Sequence, residues 1–91
     1  MLLSDPDRTA QYRRALHAAV ADCRRLNGRS PDVLDLGCGT GLLGLLAVEA
    51  GAASVVSVDL NDECVSMTEA TMQAATSTKV WDVMHAEDLD D

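Results

Sequence analysis

From Pro6 onward the apolar positions recur at helical spacing: Tyr12, Leu16, Val20 (with Ala19), Cys23 and Leu26 form one stripe. Arg13, Arg14, His17, Arg24 and Arg25 fall largely on the other side. Ser4-Asp5-Pro6-Asp7 puts a capping residue, an early proline and acids ahead of that stripe, so the helix is expected to begin near Pro6 and to end at Asn27-Gly28. The period then changes. Val33-Leu34-Asp35-Leu36 reads as a short apolar strand. Leu42 to Ala50 is apolar almost all round, with only Glu49 charged, which suits a helix covered on most sides and closed by Gly51. Ser54 to Val58, ending in Asp59, reads as a second buried strand.

Asn61 is placed to cap a third helix whose first turn carries Asp62 and Glu63, favourable for the helix dipole. Its inner face is expected to hold Val65, Thr68, Met72 and Ala75; Thr78 to Met84 then reads as a third strand and His85 to Asp91 as an acidic loop. The order α, β, α, β, α, β predicts an α/β fold with a parallel sheet and right-handed crossovers. We divide the chain into an N-terminal helical segment, 1–29, and a βαβαβ core, 30–91.

Ninety-one residues make at most one domain, and one that buries a modest share of its surface. With one Trp, one Tyr and no Phe, the core has to be built from Leu, Val, Ala and Met. Charge is divided unevenly. The first 29 residues hold six of the seven basic side chains against three acids, a net +3, whereas the rest sets Lys79 against twelve acids, a net −11. Such a surface repels phosphate backbones, which argues against direct nucleic-acid binding; it suits a cationic partner or simply a solvated exterior. No apolar run is long enough to span a bilayer and the start lacks a basic n-region, so no membrane association and a cytoplasmic or nuclear location are expected. Cys23, Cys38 and Cys64 form no Cys-x-x-Cys pair and have no His at ligand spacing, so free thiols and no metal site are expected.

The chemistry concentrates at the strand–glycine loop–helix unit. Glycines at turn positions let the backbone approach a ligand and adopt angles that other residues avoid, and ligands of such folds sit at the carboxyl ends of the strands. A dinucleotide fingerprint would need Gly-x-Gly-x-x-Gly, but Leu42 occupies the third position and the pattern is Gly37-x-Gly39-x-Gly41, which sets a nicotinamide enzyme aside. A Walker loop would need Gly-Lys-Ser/Thr, which is absent.

The segment VLDLGCGTGLL resembles motif I of class I S-adenosylmethionine-dependent methyltransferases. That resemblance implies a partial Rossmann-like class I methyltransferase fold of about three parallel strands with flanking helices, and S-adenosyl-L-methionine as cofactor. In the family, an acid matched by Asp35 supports the loop and the methionine amino group, the loop itself is Gly37, Cys38, Gly39 and Gly41, and an acid matched by Asp59 accepts from both ribose hydroxyls, with Leu60 beside it. LSDPDRTAQYRRAL further resembles the stretch that precedes motif I in protein arginine methyltransferases, through Leu3, Asp5, Arg8, Thr9 and Tyr12. There the arginine pairs with the cofactor carboxylate, a task suited to a planar guanidinium, and Arg8 matches it. The Ala-Gly-Ala turn at Ala50-Gly51-Ala52 matches as well, and the length of the first helix is closer to the branch that forms monomethylarginine. In MHAEDLDD, Glu87 matches the acid that accepts from the adenine amino group; a solvated loop acid is the plainer account of the same residue. Cys38 fills a small variable slot, with no base fixed nearby that would make it a nucleophile, and His17 and His85 are single histidines without sequence partners.

The resemblance covers nearly the whole chain, but the chain covers only part of the family. The paired glutamates that hold the substrate guanidinium, the Thr-His-Trp loop and the β-barrel have no counterpart in these residues, which end at Asp91. No catalytic residue is therefore assigned, and the expectation is a cofactor-binding fragment that does not methylate arginine by itself. An arginine-containing protein would be the substrate of the longer form, with homodimerisation implied by the full-length family. Two other readings stay open: a class I methyltransferase for another substrate class, and an inactive cofactor-binding or interaction fragment. Open sheet edges also lead us to expect aggregation or a missing partner segment.

Overall fold

A computed structural model describes residues 6–75 and 80–90, excluding the side chains of Pro6, Leu89 and Asp90. Helix α1 spans Pro6–Asn27, β1 Asp32–Leu36, α2 Leu42–Glu49, β2 Ser54–Asp59, α3 Asp62–Ala74 and β3 Trp81–His85, followed by a 3₁₀ turn at Ala86–Asp90. The strands form one parallel sheet in the order β1-β2-β3, with Asp35 opposite Ser57 and Asp59 opposite His85. The α/β fold expected from the alternation is therefore the one formed. Leu3, the Ser4-Asp5 cap and the proposed strand start at Thr78 and Lys79 lie outside the described residues, as does Asp91.

Strand alternation sends Val33, Val55, Ser57, Trp81 and Val83 to one face. Both α2 and α3 cover that face: Val55 and Trp81 are buried with Ala47 and Ala52, and Leu45, Val48 and Met72 pack around them. Trp81, 1% exposed, is the largest buried side chain of this aliphatic core. Leu34 and Leu36 point the other way and are 57% and 69% exposed, because no described helix covers that side of β1. Among the described residues no helix is long and apolar enough to cross a membrane.

Four local expectations change. Leu26 is 72% exposed although it lies on the apolar stripe of α1. At ~1.5 Å per residue α1 is roughly 33 Å long and α2 roughly 12 Å, so the ends of α1 overhang their support; Val20 is the position driven home, at 3% exposure. The third strand starts at Trp81 and runs on through His85, and the acidic loop is a 3₁₀ turn. His85 also has partners: its Nδ1 accepts from the Glu87 N–H at 3.3 Å, which leaves Nε2 to face Asp62 Oδ1 at 3.2 Å.

The cap of α3 is as expected, with Asn61 Oδ1 accepting from the Glu63 N–H at 2.8 Å and the Cys64 N–H at 3.1 Å. Asn61→Ala removes both bonds from the helix start and is expected to lower stability by about 1 kcal/mol, read as a shift in the urea midpoint at unchanged slope.

Candidate functional site

The glycine loop leaves the end of β1 and is tied to β2: the Gly37 and Cys38 N–H groups both donate to the Val58 carbonyl, at 2.9 and 3.2 Å. It closes on itself through Gly41 N–H to the Cys38 carbonyl at 2.9 Å. Gly41, at φ 89°, caps α2 in the left-handed region, and a Cβ there would stand 3.2 Å from Thr68 and Thr71 of α3. A Cβ on Gly37 or Gly39 would instead meet nothing within 4 Å. One side of the loop is therefore braced and the other is open to a ligand.

The brace comes from α3. The Thr68 hydroxyl, on a fully buried residue, donates to the Gly39 carbonyl at 3.0 Å, and the Thr71 hydroxyl donates to the Thr40 carbonyl at 2.7 Å. In the sequence Thr68 reads as an inner-face residue of the third helix, and Thr71 carries no mark of its own. The available signal was a pair of hydroxyls three residues apart on one helical face.

Asp35 and Asp59 stand at the carboxyl ends of adjacent strands, on the same face, beside the loop. Asp59 Oδ1 accepts from the Asn61 N–H at 2.9 Å, which fixes the carboxylate. Asp35 is 9% exposed, and its Oδ2 accepts from the Ser57 hydroxyl at 3.0 Å. Burial pushes its carboxyl above the ordinary carboxylate range; the Ser57 bond opposes this and the charge of Asp59 adds to it. Burial likewise raises the Cys38 thiol, with Asp59 and Asp35 contributing, so Cys38 is a protonated thiol at neutral pH and no nucleophile.

The remaining residues singled out from sequence are spread around this centre. Leu60 is 71% exposed, just beyond Asp59. Glu87 is exposed on the 3₁₀ turn that follows β3, at the carboxyl end of the sheet like the loop but on the opposite edge strand. Arg8 lies exposed in the first turn of α1 and is engaged by another group, as is Thr9. Tyr12 is half-buried on the same helix.

A raised native pKa for Asp35 has a sign for stability. The folded state keeps its proton at pH values where the unfolded chain has already lost it, so this group makes stability fall as pH rises through that interval, and the loss persists above it. Asp35→Asn is accordingly expected to be at least as stable as the parent at neutral pH and to flatten the decline, measured by thermal melts from acid to neutral pH.

Sheet order, loop and strand-end acids together define a Rossmann-like class I methyltransferase domain. A family model described as ribosomal protein L11 methyltransferase (PrmA) matches residues 17–91, and the chain belongs to that family of S-adenosylmethionine-dependent methyltransferases. It is also similar to a probable protein arginine N-methyltransferase 3 of Oryza sativa subsp. indica, with 40% identity over 103 aligned positions covering 97% of this chain and 16% of the rice protein. Among solved structures it resembles the Trypanosoma brucei PRMT1 enzyme-prozyme heterotetrameric complex with AdoHcy, at 30% identity and a TM-score of 0.75, covering 92% of this chain and 25% of the other. Arabidopsis thaliana protein arginine methyltransferase 10 shares the fold, with a TM-score of 0.76 at 24% identity, over 99% of this chain and 24% of that one. The chain thus spans about a sixth to a quarter of the length of these relatives.

Proposed function

We propose that these residues bind S-adenosylmethionine for a protein methyltransferase whose acceptor is an arginine side chain. The observation that carries the reading is the pairing of an open-sided glycine loop with two acids, Asp35 and Asp59, at adjacent strand ends. The chemistry of that donor set fits the cofactor: a carboxylate held at Asp59 for two ribose hydroxyls, a second at Asp35 for an ammonium group, and a side-chain-free backbone at Gly37 and Gly39 for the chain between them. When bound, the cofactor supplies a methyl group on a sulfonium; the residues of this chain bind and orient it. Arg8 for the cofactor carboxylate, Leu60 beside the ribose and Glu87 for the adenine amino group complete the same reading.

Arginine as acceptor is supported by the rice relative, whose alignment covers 97% of this chain and so includes much of the Arg8–Tyr12 stretch that precedes the family-model match. The family model itself favours a second reading, a ribosomal protein as the substrate. Location in the cytosol or nucleus, with protein substrates, belongs to the arginine reading.

Calorimetric titration of the chain with S-adenosylhomocysteine is expected to give saturable one-to-one binding; a folded sample that releases no heat would overturn the cofactor reading. Incubation with labelled S-adenosylmethionine and a Gly/Arg-rich peptide is expected to give no robust transfer by these 91 residues alone. In a polypeptide of the relatives' length the label is expected on arginine, and transfer to ribosomal protein L11 alone would select the second reading.

A further inference from the structure

Behind Asp35 runs a buried polar chain through two residues, Ser57 and Trp81, that the cofactor reading does not use. The indole N–H of Trp81 donates to the Ser57 hydroxyl at 2.9 Å, and the Ser57 hydroxyl donates to Asp35 Oδ2 at 3.0 Å. The three groups come from three neighbouring strands. Ser57 is opposite Asp35 in the β1–β2 register, and Trp81 enters from β3 beside Val55. Ser57 is fully buried and Trp81 is 1% exposed, so neither has water as an alternative partner.

The direction of the chain follows from the inventory of protons. An indole nitrogen only donates, so the Ser57 oxygen must accept from Trp81. With one lone pair engaged by Trp81, the hydroxyl donates its single proton to Asp35, which accepts a charge-assisted bond when ionised. Turning that proton away from Asp35 would leave a buried O–H without the acceptor it has here, and the Trp81 bond restricts the rotation that would do so. Burial disfavours the charged form of Asp35, and the Ser57 bond is the counterweight. Gly44 of α2 completes the enclosure, because a Cβ there would stand 2.6 Å from the Trp81 ring and 2.8 Å from Ser57 Oγ. No side chain larger than hydrogen fits between helix and chain.

We infer that Trp81 and Ser57 are positioning residues that hold Asp35 as an oriented acceptor for the ammonium group of the amino-acid half of the cofactor. The inference rests on the cofactor reading above and adds to it two residues that touch no ligand. It separates the site into two parts: Asp59 for the nucleoside, held by Asn61, and Asp35 for the amino-acid end, held by Ser57 and Trp81.

Two probes divide these parts. S-adenosylhomocysteine carries both halves, whereas 5′-methylthioadenosine keeps the nucleoside and thioether but lacks the amino-acid end. In calorimetric titrations Ser57→Ala is expected to weaken S-adenosylhomocysteine about tenfold, the scale of one hydrogen bond to a charged group, and to change methylthioadenosine by less than about twofold. Trp81→Phe is expected to show the same selectivity at about threefold, since it frees the serine proton without removing it. Neither change should add to the effect of Asp35→Asn when the two are combined. Equal loss for both probes marks a merely structural role and overturns the inference, as does unchanged S-adenosylhomocysteine affinity in Ser57→Ala. If the parent chain binds neither probe, the cofactor reading fails and this inference with it. If Asp35→Asn is selective while Ser57→Ala is not, the cofactor reading stands and the positioning role alone is refuted. Ser57→Ala keeps the apolar packing but leaves the Trp81 N–H without its partner, so each variant is melted alongside its titration, and either one that folds decides the test.

Discussion

Replacing Asp59 by alanine is expected to weaken S-adenosylhomocysteine by roughly 100-fold or more, because two charge-assisted hydrogen bonds to ribose hydroxyls are lost together. Fold stability should change little. The bond that Asp59 makes within the protein, from the Asn61 N–H, is at an exposed position where water can replace it. Asp59 also raises the pKa values of Asp35 and Cys38, so its removal relieves rather than burdens its neighbours. The measurement is a pair of titrations with a thermal melt of each sample. Retained affinity in the alanine variant would remove the ribose contact from the site and leave the glycine loop without the acid that gives it meaning.

The largest expected loss of stability comes from the smallest substitution. Gly44→Ala adds one carbon where 2.6 Å separates it from Cζ2 of Trp81 and 2.8 Å from Ser57 Oγ. The helix would gain up to ~1 kcal/mol of intrinsic propensity. Overpacking of a close-fitted interior costs about 1–3 kcal/mol, and here the obstacle is a rigid indole ring together with the Ser57 hydroxyl it is hydrogen-bonded to, so the upper part of that range applies. The net result is a fall in Tm of roughly 5–10 °C for a chain of this size. If the variant melts at or above the parent temperature, α2 does not sit on Trp81 as closely as described. The same substitution is expected to weaken S-adenosylhomocysteine, since the displaced indole would take Ser57 with it.

Much of this arrangement is legible in the chain because it is written in local chemistry. Glycines at 37, 39 and 41 after an apolar strand specify a loop, and the Asn61 cap names the start of α3 to the residue. Asp59 could be found as the polar end of an apolar strand. Other features depend on which residue meets which across the sheet, and no local pattern carries that. Ser57 reads as a small residue in a valine strand and becomes a relay only when the register brings Asp35 and Trp81 to its two sides. His85 reads as isolated because its partner, Asp62, is 23 positions earlier on another element. Leu26 departs from its pattern for the opposite reason: helical periodicity tells which side of α1 is apolar and is silent on how far the neighbouring α2 extends beneath it.

The spans closed by these polar contacts measure how much chain each part of the site needs. Asp35 and Ser57 are 22 residues apart, Gly39 and Thr68 29, Thr40 and Thr71 31, and Ser57 and Trp81 24. Each contact therefore joins neighbouring units of the alternating chain, and none requires a distant segment to return. The loop and its threonine brace are closed within residues 39–71, whereas the orientation of Asp35 also draws on Trp81, so the two halves of the site differ in how much of the chain each requires.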